Sequence, residues 1–194
     1  LMLMSEQVPE DMSVKIRICD TMGFGLHYPG VELPRSVPKI IYKLNQECGV
    51  PSERLEWHGH NDFHRVLANG ATAWLYGCDA VNCTLFGVGE RTGNPPLEAA
   101  VLEYISLKQD MCGIQTEVIT EIADYMRSIK LPIPDNYPFV GKHFNTTRAG
   151  LCSRMCTRPK TIFLSDIGSQ QPFHQFSLNS LLYHWPFSLT SMGM

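Results

Sequence analysis

The stretch LEWHGHND at residues 55–62 is the part of the sequence from which both the fold and a site can be predicted. A strand over residues 55–60 alternates its side chains between two faces, so His58 and His60 point the same way. Two imidazoles on one face of a rigid strand are suitable ligands for a divalent metal. The alternative is a pair of hydrogen-bonded core histidines without a ligand role, which is at least as common for an isolated His-x-His pair.

Length and composition indicate one globular domain. The chain has 194 residues, of which 44% are hydrophobic and 18% are charged, with a formal net charge of -3. This charge argues against nucleic acid or an anionic membrane surface as a partner. We find no signal peptide and no apolar run long enough to span a bilayer. Seven scattered cysteines are typical of free thiols in a reducing compartment, so we expect a cytoplasmic protein.

Hydrophobic periodicity predicts an alternation of strands and helices. The predicted strands cover residues 13–19, 55–60 and 80–86, and the predicted helices cover residues 39–48, 63–76, 96–107 and 116–128. Three strand–helix units of roughly thirty residues predict an α/β protein with a parallel sheet, because such units connect parallel strands. Parallel strands of this kind need further neighbours, so three units favour part of a TIM (β/α)8 barrel.

Polar residues follow each predicted strand. Thr21 comes after the first strand, His58 and His60 end the second, and Glu90 and Asn94 follow the third. Because the carboxyl ends of parallel strands meet at one edge, and barrel enzymes place their chemistry there, we expect these side chains to converge. Convergence favours the metal-ligand interpretation of the histidine pair.

Each of the other candidates also has a structural interpretation. Thr21 could simply end a strand, and Glu90 could form a local ion pair with Arg91. Asn94 could be a turn residue, which is the commoner role for an asparagine before two prolines. We interpret Asp62 as the N-cap of the helix that follows it.

The motifs HGHND at residues 58–62 and NCTLFGVGERTGN at residues 82–94 resemble those of a known enzyme superfamily. They are similar to the DRE-TIM metallolyase acyltransferases, which condense acetyl-CoA with an α-keto acid. These are the 2-isopropylmalate, homocitrate and Re-type citrate synthases. The segments LPRSVP at residues 33–38 and TAWLYGC at residues 72–78 look most like Re-type citrate synthase. The resemblance implies the last three βα units of the TIM barrel, followed by a C-terminal helix and a truncated linker.

The resemblance also implies a role for each candidate residue. His58 and His60 would bind a divalent metal (Mn, Zn or Mg), with Asn94 in or beside its coordination shell. Thr21 would bind the substrate carboxylate, and Glu90 would be a catalytic residue near the acetyl thioester. The substrates would be acetyl-CoA and an α-keto acid, with oxaloacetate favoured and 2-oxoglutarate or 2-oxoisovalerate next. The superfamily also implies a homodimer for the full-length protein.

We predict three regions along the chain. Residues 1–130 would be the C-terminal part of a pyruvate carboxyltransferase-like barrel, and residues 131–150 the start of a linker subdomain. Residues 151–194 resemble nothing in the superfamily, and we hypothesise a frameshift near Gly150. Cys152 stands where the superfamily has a histidine, and the carboxylate-bearing Asp-Arg-Glu motif of its first strand is missing.

We therefore expect a fragment that is inactive and self-associating by itself. The alternatives are a non-catalytic remnant of such an enzyme, or a lyase of the same superfamily. Lyases that cleave hydroxymethylglutaryl-CoA carry a cysteine in the loop that corresponds to residues 87–94, and this loop has none.

Overall fold

The computed structural model describes Val8, Met12 and residues 14–144. The chain divides into two compact units, of which the first ends at Ser106 and the second begins at Leu107. The expectations for residues 151–194, including Cys152, lie outside the described residues.

The first unit is built on a parallel sheet of three strands. These are β1 (Ile16–Asp20), β2 (Leu55–Gly59) and β3 (Ala80–Val81), in the order β1-β2-β3. Their residues pair in parallel register, with Ile16 opposite Leu55 and Glu56 opposite Ala80. The α/β class and the parallel sheet predicted from the sequence are thereby confirmed.

The third strand is much shorter than the predicted strand over residues 80–86, so that prediction was wrong in its extent. The amide of Asn82 still donates to the carbonyl of Trp57, at 2.9 Å. Beyond it, the amide of Thr84 donates to the carbonyl of Pro95 and its own carbonyl accepts from Leu97, at 3.0 and 2.8 Å. Because the backbone of Thr84 bonds to its own loop and not to β2, the strand ends, and a 3₁₀ turn follows at Leu85–Gly87.

Four α-helices accompany these strands in the described residues, and all lie close to the predicted positions. They are α1 (Val37–Tyr42), α2 (Val66–Leu75), α3 (Leu97–Lys108) and α4 (Val118–Ser128). Ser36 caps α1, because its hydroxyl accepts from the amide of Lys39 at 3.2 Å. After Tyr42 the helix widens into a π turn at Lys43–Glu47, and a 3₁₀ turn at Ser52–Arg54 leads into β2.

The core of the first unit lies between one face of the sheet and helices α1 and α2. Leu55 and Trp57 of β2 are 0% and 1% exposed, and they form a cluster with Val37 and Ile41 of α1 and Ala73 of α2. Burial of a side chain such as Leu55 contributes about 1.5–3 kcal/mol. The alternation of the strand sends Leu55 and Trp57 into this core, and it therefore sends His58 to the opposite face.

Among the described residues of the second unit, from Leu107 to residue 144, the main element is α4, and turns follow it. Arg127 bonds to the carbonyl of Val140, at 2.6 Å, and the rings of Phe139 and Phe144 lie 5.6 Å apart. These contacts link the predicted linker region to α4 in the described residues. The assignment of residues 131–150 to a linker subdomain stays a prediction.

Candidate metal and substrate site

The two histidines lie side by side at the carboxyl end of β2. Their ring centroids are 5.0 Å apart and their planes are nearly perpendicular, at 89°. His60 is 7% exposed, and the Nδ1 atoms of His58 and His60 are both buried without a hydrogen-bond partner. Buried ring nitrogens are normally hydrogen-bonded. Two adjacent unpartnered nitrogens therefore fit a shared ligand better than they fit a satisfied core.

The surroundings of His58, above all its burial, favour the neutral form of its imidazole. Burial lowers the pKa of His58 below its ordinary value of 6.5, and electrostatic interactions with His60 and Arg17 lower it further. A hydrogen bond with the side chain of Asn82 raises the pKa and so opposes part of this shift. A neutral imidazole is the form that coordinates a metal, because protonation occupies the lone pair.

Asn94 is held in the glycine-rich loop after β3. It is 8% exposed, and its backbone amide donates to the carbonyl of Gly87 at 3.0 Å. Its Oδ1 fills the space beside Gly89, where an added Cβ would lie only 1.9 Å from this atom. Gly93 has φ +110, and a Cβ there would meet the carbonyl of Gly87 at 2.5 Å, so this turn requires glycine.

The same loop contacts the backbone that follows the histidines. The amide of Asn61 donates to the carbonyl of Gly93, at 2.9 Å. His60 directly precedes Asn61 in the chain, and Asn94 directly follows Gly93. The loop after β3 therefore closes onto the end of β2, as the sequence analysis expected from parallel strands.

Thr21 and Glu90 lie at the same edge of the sheet, and both are exposed. The carbonyl of Thr21 accepts from Arg91, and the carbonyl of Glu90 accepts from the amide of Gly93 at 2.9 Å. Within residues 14–144 we see no hydrogen bond from either side chain to the two histidines. The substrate-binding role of Thr21 and the catalytic role of Glu90 stay predictions.

Two structural interpretations from the sequence were wrong. Asp62 does not cap α2, because the helix begins three residues later than expected, after Arg65, which makes no side-chain cap. Arg91 forms its ion pair with Asp62, at 2.8 Å, and not with Glu90. The reason is that the loops after β2 and β3 are packed together, which brings residues 29 positions apart into contact.

Sequence reasoning missed a polar network on the face that carries His58. Arg17 and Glu56 are paired in register and joined by two bonds of 3.0 Å, and Lys15 lies 3.7 Å from Glu56. These contacts, mainly the one to Arg17, lower the pKa of Glu56, and Asn82 adds to the shift. The signal was available, because charged residues alternate with Ile16 and Ile18 along β1.

The donor set fits a divalent metal in part. Two imidazoles and an amide oxygen suit several divalent ions. No group of three or more His, Cys, Asp or Glu side chains in the described residues could hold a metal. The fit therefore rests on the two unpartnered Nδ1 atoms, with Asn94 as the third candidate ligand.

The profile of the HMGL-like family matches residues 4–126 of the chain. This match covers more than half of the sequence, so the chain belongs to the HMGL-like family.

Its curated relatives include two proteins named Citrate (Re)-synthase. The protein from Syntrophus aciditrophicus is 55% identical over 150 residues, which are 77% of this chain and 24% of the relative. The protein from Clostridium kluyveri is 51% identical over 152 residues, which are 78% of this chain and 33% of the relative. A 2-isopropylmalate synthase from Acetivibrio thermocellus is 30% identical, over 70% of this chain and 26% of that protein. The chain thus spans a quarter to a third of the length of these relatives.

Among solved structures, an HMG-CoA lyase from Acinetobacter baumannii matches with a TM-score of 0.49 and 19% identity. The match covers 59% of this chain and 36% of the lyase. The described residues contain no helix that is both long enough and apolar enough to cross a membrane.

Proposed function

We propose that this chain is part of a metal-dependent acyltransferase that condenses acetyl-CoA with an α-keto acid, and that it forms the last three βα units of a TIM barrel. The observation that carries the proposal is the adjacent His58 and His60 pair with two buried, unpartnered Nδ1 atoms. The pair lies within the aligned part of the chain, which is 55% identical over 150 residues and 51% identical over 152 residues to two relatives named Citrate (Re)-synthase.

Oxaloacetate is the first-choice acceptor, because it is the keto acid whose condensation with acetyl-CoA gives citrate. The names of the two relatives from Syntrophus aciditrophicus and Clostridium kluyveri support this choice. The weaker similarity to a 2-isopropylmalate synthase makes 2-oxoisovalerate a second candidate, and 2-oxoglutarate a third.

In the proposed mechanism, ring nitrogens of His58 and His60 would hold the metal, together with the amide oxygen of Asn94. A bound divalent ion supplies Lewis acidity toward the carbonyl group of the keto acid. The lowered pKa of His58 favours its neutral form, so protons compete less for its lone pair. Thr21 would donate its hydroxyl hydrogen to the keto acid carboxylate, and Glu90 would act near the acetyl thioester.

The test is an assay of the complete gene product that contains this chain. Release of the CoA thiol is measured with acetyl-CoA and each of the three keto acids, with and without a chelator. We expect the fastest release with oxaloacetate, loss of release with chelator, and recovery with Mn²⁺ or Zn²⁺. Metal binding is measured in parallel by calorimetric titration, which does not require activity.

Two variants make this test specific. His58→Ala should abolish both metal binding and CoA release, whereas His143→Ala, at an exposed histidine of the second unit, should leave both unchanged. Equal metal binding by wild type and His58→Ala would contradict the proposed site. The homodimer and the cytoplasmic location are further predictions, and sedimentation and cell fractionation measure them.

A further inference from the structure

One guanidinium joins the loops that follow all three strands. Arg91 lies in the loop after β3, and its Nε and Nη2 donate to the two carboxylate oxygens of Asp62, at 2.8 and 3.0 Å. Asp62 belongs to the loop after β2. The same Nη2 also donates to the backbone carbonyl of Thr21, in the loop after β1. Two parallel bonds to a carboxylate fix the orientation of a guanidinium, which a lysine cannot reproduce.

The backbone of Arg91 is consistent with a fixed position. Its φ is 49°, in the left-handed region that residues with a side chain rarely adopt. Such conformations persist where the surrounding contacts determine them. Here the turn is closed by the bond from the Gly93 amide to the Glu90 carbonyl, and the guanidinium is anchored in two other loops.

The segments that Arg91 joins carry the candidate ligands. Asp62 is two residues after His60, and Thr21 is itself the candidate substrate residue. The loop after β1 also packs on the end of β2, because a Cβ on Gly23 would lie 2.7 Å from the carbonyl oxygen of His60. A shift of either loop would therefore change the spacing between His60 and Thr21.

We propose that Arg91 is a positioning residue that fixes His60 and Thr21 relative to each other, through its bonds to Asp62 and to the Thr21 carbonyl. The role in catalysis rests on the proposed function, whereas the joining of the three loops does not. In this role Arg91 acts through Asp62 and Thr21 and not by direct contact with metal or substrate. It acts by holding two backbone segments in the spacing that a shared ligand needs, as residues behind metal ligands commonly do.

The competing interpretation is an ordinary surface ion pair. The side chain of Arg91 is 35% exposed, and exposed pairs contribute little to stability. The chain offers a matched control in the exposed pair of Lys43 and Glu47, which lies 2.7 Å apart and far from the site in sequence. An ordinary pair at Arg91 would behave like this control.

The experiment uses three variants of the complete gene product: Arg91→Lys, Asp62→Asn, and the double variant that combines these two substitutions. Lys43→Gln is the control. Three quantities are measured: the metal dissociation constant, the separate changes in KM for the keto acid and in kcat, and the rate of deuterium exchange at the backbone amide of Asn61. This amide donates to the carbonyl of Gly93. For Arg91→Lys we expect metal binding weaker by about 10–100-fold, as for other residues that orient metal ligands. We also expect a higher KM and exchange of the Asn61 amide at least about tenfold faster.

The double variant tests whether the bond between Arg91 and Asp62 is itself responsible, because the effects of the two substitutions should then not add. Asp62→Asn should have much less effect in the Arg91→Lys background than in wild type, because the bond is already lost. Wild-type metal affinity, KM and exchange in Arg91→Lys would overturn the proposal, as would fully additive effects of the two variants. If wild type binds no metal and releases no CoA, the proposed function fails. Exchange of the Asn61 amide then still decides whether Arg91 holds the loops.

Discussion

Substitution of Gly89 by alanine tests whether Asn94 is a metal ligand. A Cβ on residue 89 would lie 1.9 Å from Oδ1 and 2.9 Å from Cγ of Asn94. Real Cβ atoms essentially never approach a heavy atom closer than 3.0 Å, so Oδ1 must move by at least about 1.1 Å. Metal–ligand distances hold to about 0.2 Å, so the displaced oxygen leaves the coordination shell.

We expect Gly89→Ala to bind metal about 10–100-fold more weakly than wild type, matching Asn94→Ala. Because the Asn94 side chain can rotate away, the cost to folding should be about 1 kcal/mol, at the low end for overpacking. Calorimetric titration with Mn²⁺ or Zn²⁺ measures the affinity, and urea denaturation measures the stability. Gly30→Ala is the control, because a Cβ there meets nothing within 4 Å.

Two results would refute this reasoning. Wild-type metal affinity in Gly89→Ala would mean that the Asn94 oxygen does not contribute to binding. Weak binding in Gly89→Ala together with normal binding in Asn94→Ala would mean that the added methyl group acts through another residue.

Three further predictions concern the core, a thiol and pH. Leu55→Ala should destabilise the fold by about 2–5 kcal/mol in urea denaturation, because Leu55 is fully buried, whereas the exposed Leu75→Ala should change stability by less than about 0.5 kcal/mol. Cys78, whose pKa is raised from 9.0 to about 11 mainly by burial, should be alkylated at pH 8 far more slowly than the exposed Cys48, and equal rates in peptide mapping would contradict its burial. The lowered pKa of His58 means that the folded state binds fewer protons than the unfolded state, so stability should fall as pH falls below about 6.5, and His58→Gln should reduce this dependence in pH-resolved thermal melts.

The sequence predicted the class of fold because that information is local. Alternation along β1 and β2 and helical spacing between them are properties of consecutive residues. The same period of two placed His58 and His60 on one face, opposite the buried Trp57, and the structure has this arrangement. Parallel topology then required the three polar clusters to lie at one edge of the sheet.

Only the tertiary structure decided which groups at that edge pair with each other. The partner of Arg91 is Asp62 and not its chain neighbour Glu90, and Asp62 is therefore not available as a helix cap. Likewise, β3 ends early because Thr84 bonds to Pro95 and Leu97. Short-range pattern cannot give these contacts. The bonds of Thr84 depend on how the loop after β3 folds back on itself, and the pair of Arg91 and Asp62 depends on how closely two loops approach. That approach is set by packing between residues far apart in the chain.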